Sequence, residues 1–148
     1  MEKDLDMGKN TFRDVNTNLS GEDITMLSPL QLAYLGDSVY ELLIRTYLLK
    51  KEFNVNELHK ATIKYVRAKA QSDIIHRITD LLTEEEMTYV KKGRNAKSNT
   101  TPKNADLLDY KYATGFECLF GYLYLNNQDS RIGEIFNYII KLDIWKWG

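Results

Sequence analysis

One cysteine, two prolines and two histidines are spread over 148 residues. The lone Cys118 has no partner for an internal disulfide, so burial has to hold the fold, and a reducing compartment is expected. His59 and His76 stand far apart, and with a single cysteine the chain cannot assemble a zinc site. No apolar run approaches the ~20 residues that a membrane-spanning helix needs. The richest run, residues 116–125, is short and contains Glu117. The start of the chain lacks the basic residues and apolar stretch of a signal peptide, so the expectation is a cytoplasmic protein with no membrane association. Also missing are any stretch with a period of two, which removes sheet folds, and any internal repeat.

What is present is globular material, 43% hydrophobic and 28% charged, enough for a core within one domain. The net charge of −1 conceals an uneven distribution. Residues 1–27 carry three basic and six acidic side chains, residues 57–77 five and two, and residues 91–111 six and two. Two basic segments inside a near-neutral chain point to a polyanionic partner.

Residues 1–25 are polar, without helical or strand period, and are expected as a flexible arm, leaving 26–148 as the folded domain. Ser28-Pro29-Leu30-Gln31 joins an N-cap, a proline suited to the first helical position and a capping-box glutamine. Leu32, Leu35, Val39, Leu42, Leu43, Thr46 and Leu49 then recur at helical spacing, which predicts a helix to about residue 51. A second helical region runs from near Asn56 to about Leu82 and is long enough for one helix or two. Thr83 and Glu86 form another capping box, opening a helix that Gly93 is placed to stop. Residues 93–104 read as a polar loop, with Asn104 placed to cap the next helix. That helix is apolar over a broad face that includes Phe116, Leu119, Phe120 and Leu123, and is expected at the centre of the fold. A last helix carries Ile132, Ile135, Phe136 and Ile139, with Trp145 and Trp147 packing it onto the core. The predicted fold class is all-α.

Two carboxylates fall where they are expensive. Glu117 lies in the apolar run Gly115-Phe116-Glu117-Cys118-Leu119, and needs a partner, a hydrogen bond or a metal to offset its desolvation. Asp37 follows Gly36 in mid-helix, and both residue types weaken a helix. The glycine lets a backbone or a ligand approach closely. Such a pair on two central helices is able to share a hard cation completed by waters. Either residue alone is better explained as structural, and for the pair both readings stand. Glu41 is read as structural, because Arg45 lies one turn on. Cys118 is read as a core thiol. Asp106 and Asp109 are accounted for by a helix N-terminus. Lys60, Lys64 and Arg67 form a basic stripe on a helix. Arg94, Asn95, Lys97, Ser98 and Lys103 form a basic polar loop suited to phosphate and ribose contacts. The alternative for both segments is a solvated surface.

The same residues carry a resemblance. The run Leu35-Gly36-Asp37-Ser38-Val39 resembles the signature helix of ribonuclease III domains. Phe116-Glu117-Cys118-Leu119-Phe120-Gly121-Tyr122-Leu123 resembles that family's second motif, in the right order and at the right separation. Gly93-Arg94-Asn95-Ala96-Lys97-Ser98, followed by Thr101-Pro102-Lys103-Asn104, is similar to a loop of the Mini-III branch. The resemblance spans residues 27–142. Only 22 residues follow Asn126, too few for the C-terminal double-stranded-RNA-binding domain of ordinary ribonuclease III, which the Mini-III branch also lacks.

The resemblance implies a homodimeric helical nuclease, with 26–148 as a ribonuclease III-like catalytic domain. It implies that Asp37 and Glu117 hold Mg²⁺, with Mn²⁺ able to substitute. The ion polarises the phosphodiester, helps generate hydroxide and steadies the departing 3′ oxygen, so the product carries a 5′ phosphate. The implied substrate is double-stranded RNA in the precursor of the 23S large-subunit ribosomal RNA, with a large-subunit ribosomal protein as helper. Two carboxylates of the broad family pattern are replaced here, by Ala33 and Thr114. Those blanks motivate a rival, a non-catalytic RNA-binding ribosome-assembly scaffold on the same fold. A helical protein–protein adaptor is a third class, and leaves the basic loop unexplained.

Overall fold

The computed structural model describes residues 11–97 and 106–143. Among them all regular structure is helical. A 3-10 helix, Thr11–Asn18, leads into α1 (Gly21–Met26), α2 (Pro29–Leu48), α3 (Val55–Val66) and α4 (Ala68–Ile78). A 3-10 turn, Thr79–Leu81, then precedes α5 (Glu84–Asn95), α6 (Leu107–Leu125) and α7 (Asp129–Ile140).

The caps set the helix starts. The Gln31 N–H donates to Ser28 Oγ at 3.1 Å while the Ser28 N–H donates to Gln31 Oε1 at 2.8 Å, closing the expected capping box on α2. Thr83 and Glu86 do the same for α5. Asp106, rather than a residue further upstream, caps α6 through the N–H groups of Leu108 and Asp109. The predicted cap Asn104 lies outside the described residues, as do Ser98, Lys103, Trp145 and Trp147.

Helix α6 is the axis of the fold, with α2, α4, α5 and α7 packed around it. Phe116, Leu119, Phe120 and Leu123 are fully buried and meet Tyr40, Ile44 and Leu48 of α2 and Ile74, Ile75 and Ile78 of α4. Tyr40 sits edge-on to Phe116 at 4.7 Å, and its hydroxyl donates to the Tyr65 carbonyl at 3.0 Å. Two glycines allow α2 and α6 to cross in backbone contact. A Cβ on Gly36 would stand 1.7 Å from the Glu117 carbonyl oxygen, and one on Gly121 would stand 2.0 Å from that of Leu32. No side chain fits there, so the crossing depends on both glycines.

Two expectations are corrected, and one left open is decided. Residues 11–26 are helical rather than loose. Arg13 anchors them, its guanidinium stacked 3.9 Å from the Tyr124 ring centroid and paired with Asp129. Ile24 is buried against Leu32, Ala33 and Leu125. These long-range contacts leave no local period to read. Gly93 does not stop α5, which runs on to Asn95. It is a packing glycine instead, since its Cβ would lie 2.7 Å from the Gly115 Cα of α6. The long region after Asn54 is two helices, broken where Arg67 adopts extended geometry with ψ 153°.

Candidate active site

Asp37 and Glu117 come together because the glycine crossing brings the middle of α2 against the middle of α6. Asp37 is exposed and Glu117 is half-buried. The Glu117 carboxyl is pushed up from an ordinary value of 4.5 to about 8. Burial is the main cause, followed by the negative charge of Asp37 and a hydrogen bond with it. A hydrogen bond from Gln71 acts in the opposite direction. Near neutral pH and without a counter-charge, Glu117 therefore holds a proton against its neighbour.

Gln71 belongs to the buried face of α4 and is 1% exposed. Its Nε2 donates to the Val66 carbonyl at 2.9 Å. Its Oε1 is buried with no hydrogen-bond partner. The sequence reading missed this residue, although a signal was available. Gln71, Ile74, Ile75 and Ile78 recur at helical spacing, which puts the amide on the apolar face.

The donor set is oxygen alone: two carboxylates and an amide oxygen without a partner. This suits a hard divalent cation, which takes oxygen ligands and keeps several waters. A hydrated cation held there would relieve both the repulsion between the carboxylates and the unmet acceptor. Among the described residues no three His, Cys, Asp or Glu side chains gather to form a protein-only cage. The two blanks in the family pattern are filled by packing. Ala33 is 5% exposed in the cluster with Ile24 and Cys118, and the Thr114 hydroxyl donates to the Tyr110 carbonyl at 3.0 Å.

Other assignments separate cleanly. Glu41 accepts from Arg45 Nε at 2.9 Å, a pair within one helix. Cys118 is fully buried, and burial pushes its thiol up to about 12, which makes it an inert core group. Lys60, Lys64 and Arg67 are exposed, but only the two lysines share α3, because Arg67 is the break between helices. Arg94 and Asn95 form the last turn of α5 rather than a loop, joined by an Nε–Oδ1 hydrogen bond of 3.2 Å. The Arg94 guanidinium lies 5.7 Å from the Tyr112 ring centroid, and Lys97 follows, exposed. Arg94 thus faces α6, the helix that carries Glu117.

A second acidic residue was also missed. Glu86 is 4% exposed and accepts two hydrogen bonds of 2.8 Å from Arg131, whose Nη2 also donates to the Leu81 carbonyl.

Comparison with known proteins agrees with this architecture. The Ribonuclease III domain family matches residues 30–128. The chain is similar to the Mini-ribonuclease 3 of Clostridium tetani, with 52% identity over 123 residues, 82% of either chain. It is 52% identical to that of Thermoanaerobacter sp. over 136 residues, 91% of this chain and 93% of the relative. It is 39% identical to that of Staphylococcus aureus over 128 residues, 84% of this chain and 96% of the relative. The crystal structure of a Fusobacterium nucleatum protein superimposes with a TM-score of 0.74 at 39% identity, covering 80% of this chain and 96% of that one.

Proposed function

The chain belongs to the ribonuclease III family, as an endoribonuclease of the Mini-ribonuclease 3 branch, and on that premise we propose that it cuts double-stranded RNA with Mg²⁺ held by Asp37 and Glu117. The observation that carries this reading is the carboxylate pair, exposed Asp37 and half-buried Glu117, brought together by a backbone crossing that no side chain tolerates. The family in general uses divalent ions, and the all-oxygen donor set suits Mg²⁺ or Mn²⁺. When bound, the cation supplies Lewis acidity toward the phosphodiester and its attacking water.

The residues of the chain set the geometry around that chemistry. Asp37, exposed, offers its carboxylate from the RNA side, while Glu117 closes the inner side. To hold the cation Glu117 would have to be ionised, which would couple metal binding to its deprotonation. Water adds to phosphorus, the bond to the 3′ oxygen breaks, and the products are a 5′ phosphate and a 3′ hydroxyl. Exposed Lys60, Lys64, Arg67 and Lys97 are assigned to the phosphates of A-form RNA, and so are Arg94 and Asn95. Ser98 and Lys103, outside the described residues, complete that assignment on the sequence argument alone.

The biological setting we propose is maturation of the 23S ribosomal RNA precursor, in the cytoplasm, by a homodimer, with a large-subunit ribosomal protein presenting the RNA. No helix among the described residues is long and apolar enough to cross a membrane. The scaffold reading is set aside, because the relatives are named as ribonucleases and the acid pair is retained.

The test is cleavage of a double-stranded RNA hairpin with and without Mg²⁺. Wild type should cut only with the ion. Asp37→Asn and Glu117→Gln should each abolish cutting while keeping the fold and most RNA binding. Cutting that survives both changes refutes the assignment.

A further inference from the structure

We propose that Gln71 is a positioning residue of the cleavage site, its amide nitrogen steadying the Glu117 carboxylate and its amide oxygen receiving a water of the bound divalent cation. This rests on the metal-dependent reading given above.

A break in the backbone separates α3 from α4. Extended geometry at Arg67, with ψ 153°, interrupts the helical hydrogen-bond ladder. That leaves the Val66 carbonyl available to a side chain, and Gln71 Nε2 donates to it at 2.9 Å. The bond fixes which end of the amide is nitrogen, since a carbonyl only accepts. Gln71 also hydrogen-bonds Glu117 and favours its charged form. Nitrogen carries two hydrogens, one of them donated to Val66 and the other able to turn to the neighbouring Glu117.

The oxygen remains. Gln71 is 1% exposed, and Oε1 has no hydrogen-bond partner. An unmet buried acceptor costs about 1–3 kcal/mol. A role confined to bridging Val66 and Glu117 explains the nitrogen and leaves this cost standing. The waters of a hydrated divalent cation are strong donors, and such a cation would need them because, among the described residues, no third acid joins Asp37 and Glu117. An amide that grips a ligand with one end and accepts from a metal water with the other is a common outer-shell arrangement. The position also explains why a polar side chain occupies the apolar face of α4 beside Ile74, Ile75 and Ile78.

The experiment measures Mn²⁺ binding by electron paramagnetic resonance in wild type and in Gln71→Met, which keeps length and apolar volume but removes both polar ends. Binding should weaken by about 10–100-fold, the usual loss for an outer-shell partner. A merely structural role would lower the melting temperature and leave Mn²⁺ affinity unchanged, and that result overturns the proposal. Should Gln71→Met not fold, the side-chain amide resonance of Gln71 in wild type decides. It should shift on Mg²⁺ titration with the midpoint of metal binding, and a resonance that stays in place overturns the proposal. Failure of wild type to bind Mn²⁺ at all sinks the metal-dependent reading itself. Unchanged affinity in Gln71→Met, with wild type binding normally, sinks only the role of Gln71.

Discussion

Glu86 and Glu117 are two acids set into the same helical core, and their surroundings treat them oppositely. Glu86 is 4% exposed, yet it accepts two bonds of 2.8 Å from the Arg131 guanidinium and a capping-box bond from the Thr83 N–H. The hydrogen bond from Arg131 holds its carboxyl below the ordinary range, against the effect of burial. Glu117 is less buried, but it faces another carboxylate, and burial and Asp37 together push it up to about 8. One acid is satisfied by the protein, and the other is left for something the protein does not provide. Burial alone therefore does not decide which way a buried acid is shifted; the sign of the neighbour does.

The comparison breaks most visibly in activity. Asp37→Asn or Glu117→Gln should lower the cleavage rate by about four orders of magnitude, roughly 5.4 kcal/mol at 1.36 kcal/mol per factor of ten. Single-turnover assays on an RNA hairpin measure this. Glu86→Gln should behave in the reverse way. It should leave the rate per folded molecule unchanged and cost about 3 kcal/mol of stability in urea melts, since it leaves a part-buried guanidinium poorly paired. A smaller and mixed effect is expected for Gly36→Ala. Its methyl runs into the Glu117 carbonyl oxygen and forces α2 from α6, costing about 2–3 kcal/mol and separating the acid pair. Both melting temperature and cleavage should fall together.

The pH dependence has the sharpest sign. In metal-free protein Glu117 binds its proton more tightly folded than unfolded. Its contribution is fully present below the ordinary 4.5 and is lost as pH rises toward about 8. Glu86 is displaced downward, so its contribution is present above the ordinary range and is lost as pH falls through its lowered value. Urea melts in a chelator should show Glu117→Gln flattening the decline between 4.5 and 8, and Glu86→Gln flattening only the acid limb.

Helices α2, α5 and α6 were legible because capping residues and apolar spacing are local signals, and Asp37 and Glu117 stood out as acids in costly places. Three features were hidden for physical reasons. The 3-10 helix Thr11–Asn18 is anchored by Arg13 on Tyr124 and Asp129, residues more than a hundred positions away. Gly93 has the appearance of a helix stop until Gly115 is known to lie against it. Arg67 breaks the helix with no glycine or proline to announce it. Gln71 is different, since its place on the Ile74–Ile78 face was in plain view. It was passed over because a neutral amide attracts less notice than a charge.

Asp37 and Glu117 are proposed to hold a divalent cation in place of a proton. Calorimetric titration of Mg²⁺ into wild type and Glu117→Gln, in buffers of different ionisation enthalpy, tests this directly. Wild type should bind one ion per acid pair and release close to one proton below pH 8, with affinity levelling off above that value, and Glu117→Gln should lose both. Equal Mg²⁺ affinity in the two proteins, or binding without proton release at neutral pH, would contradict the account.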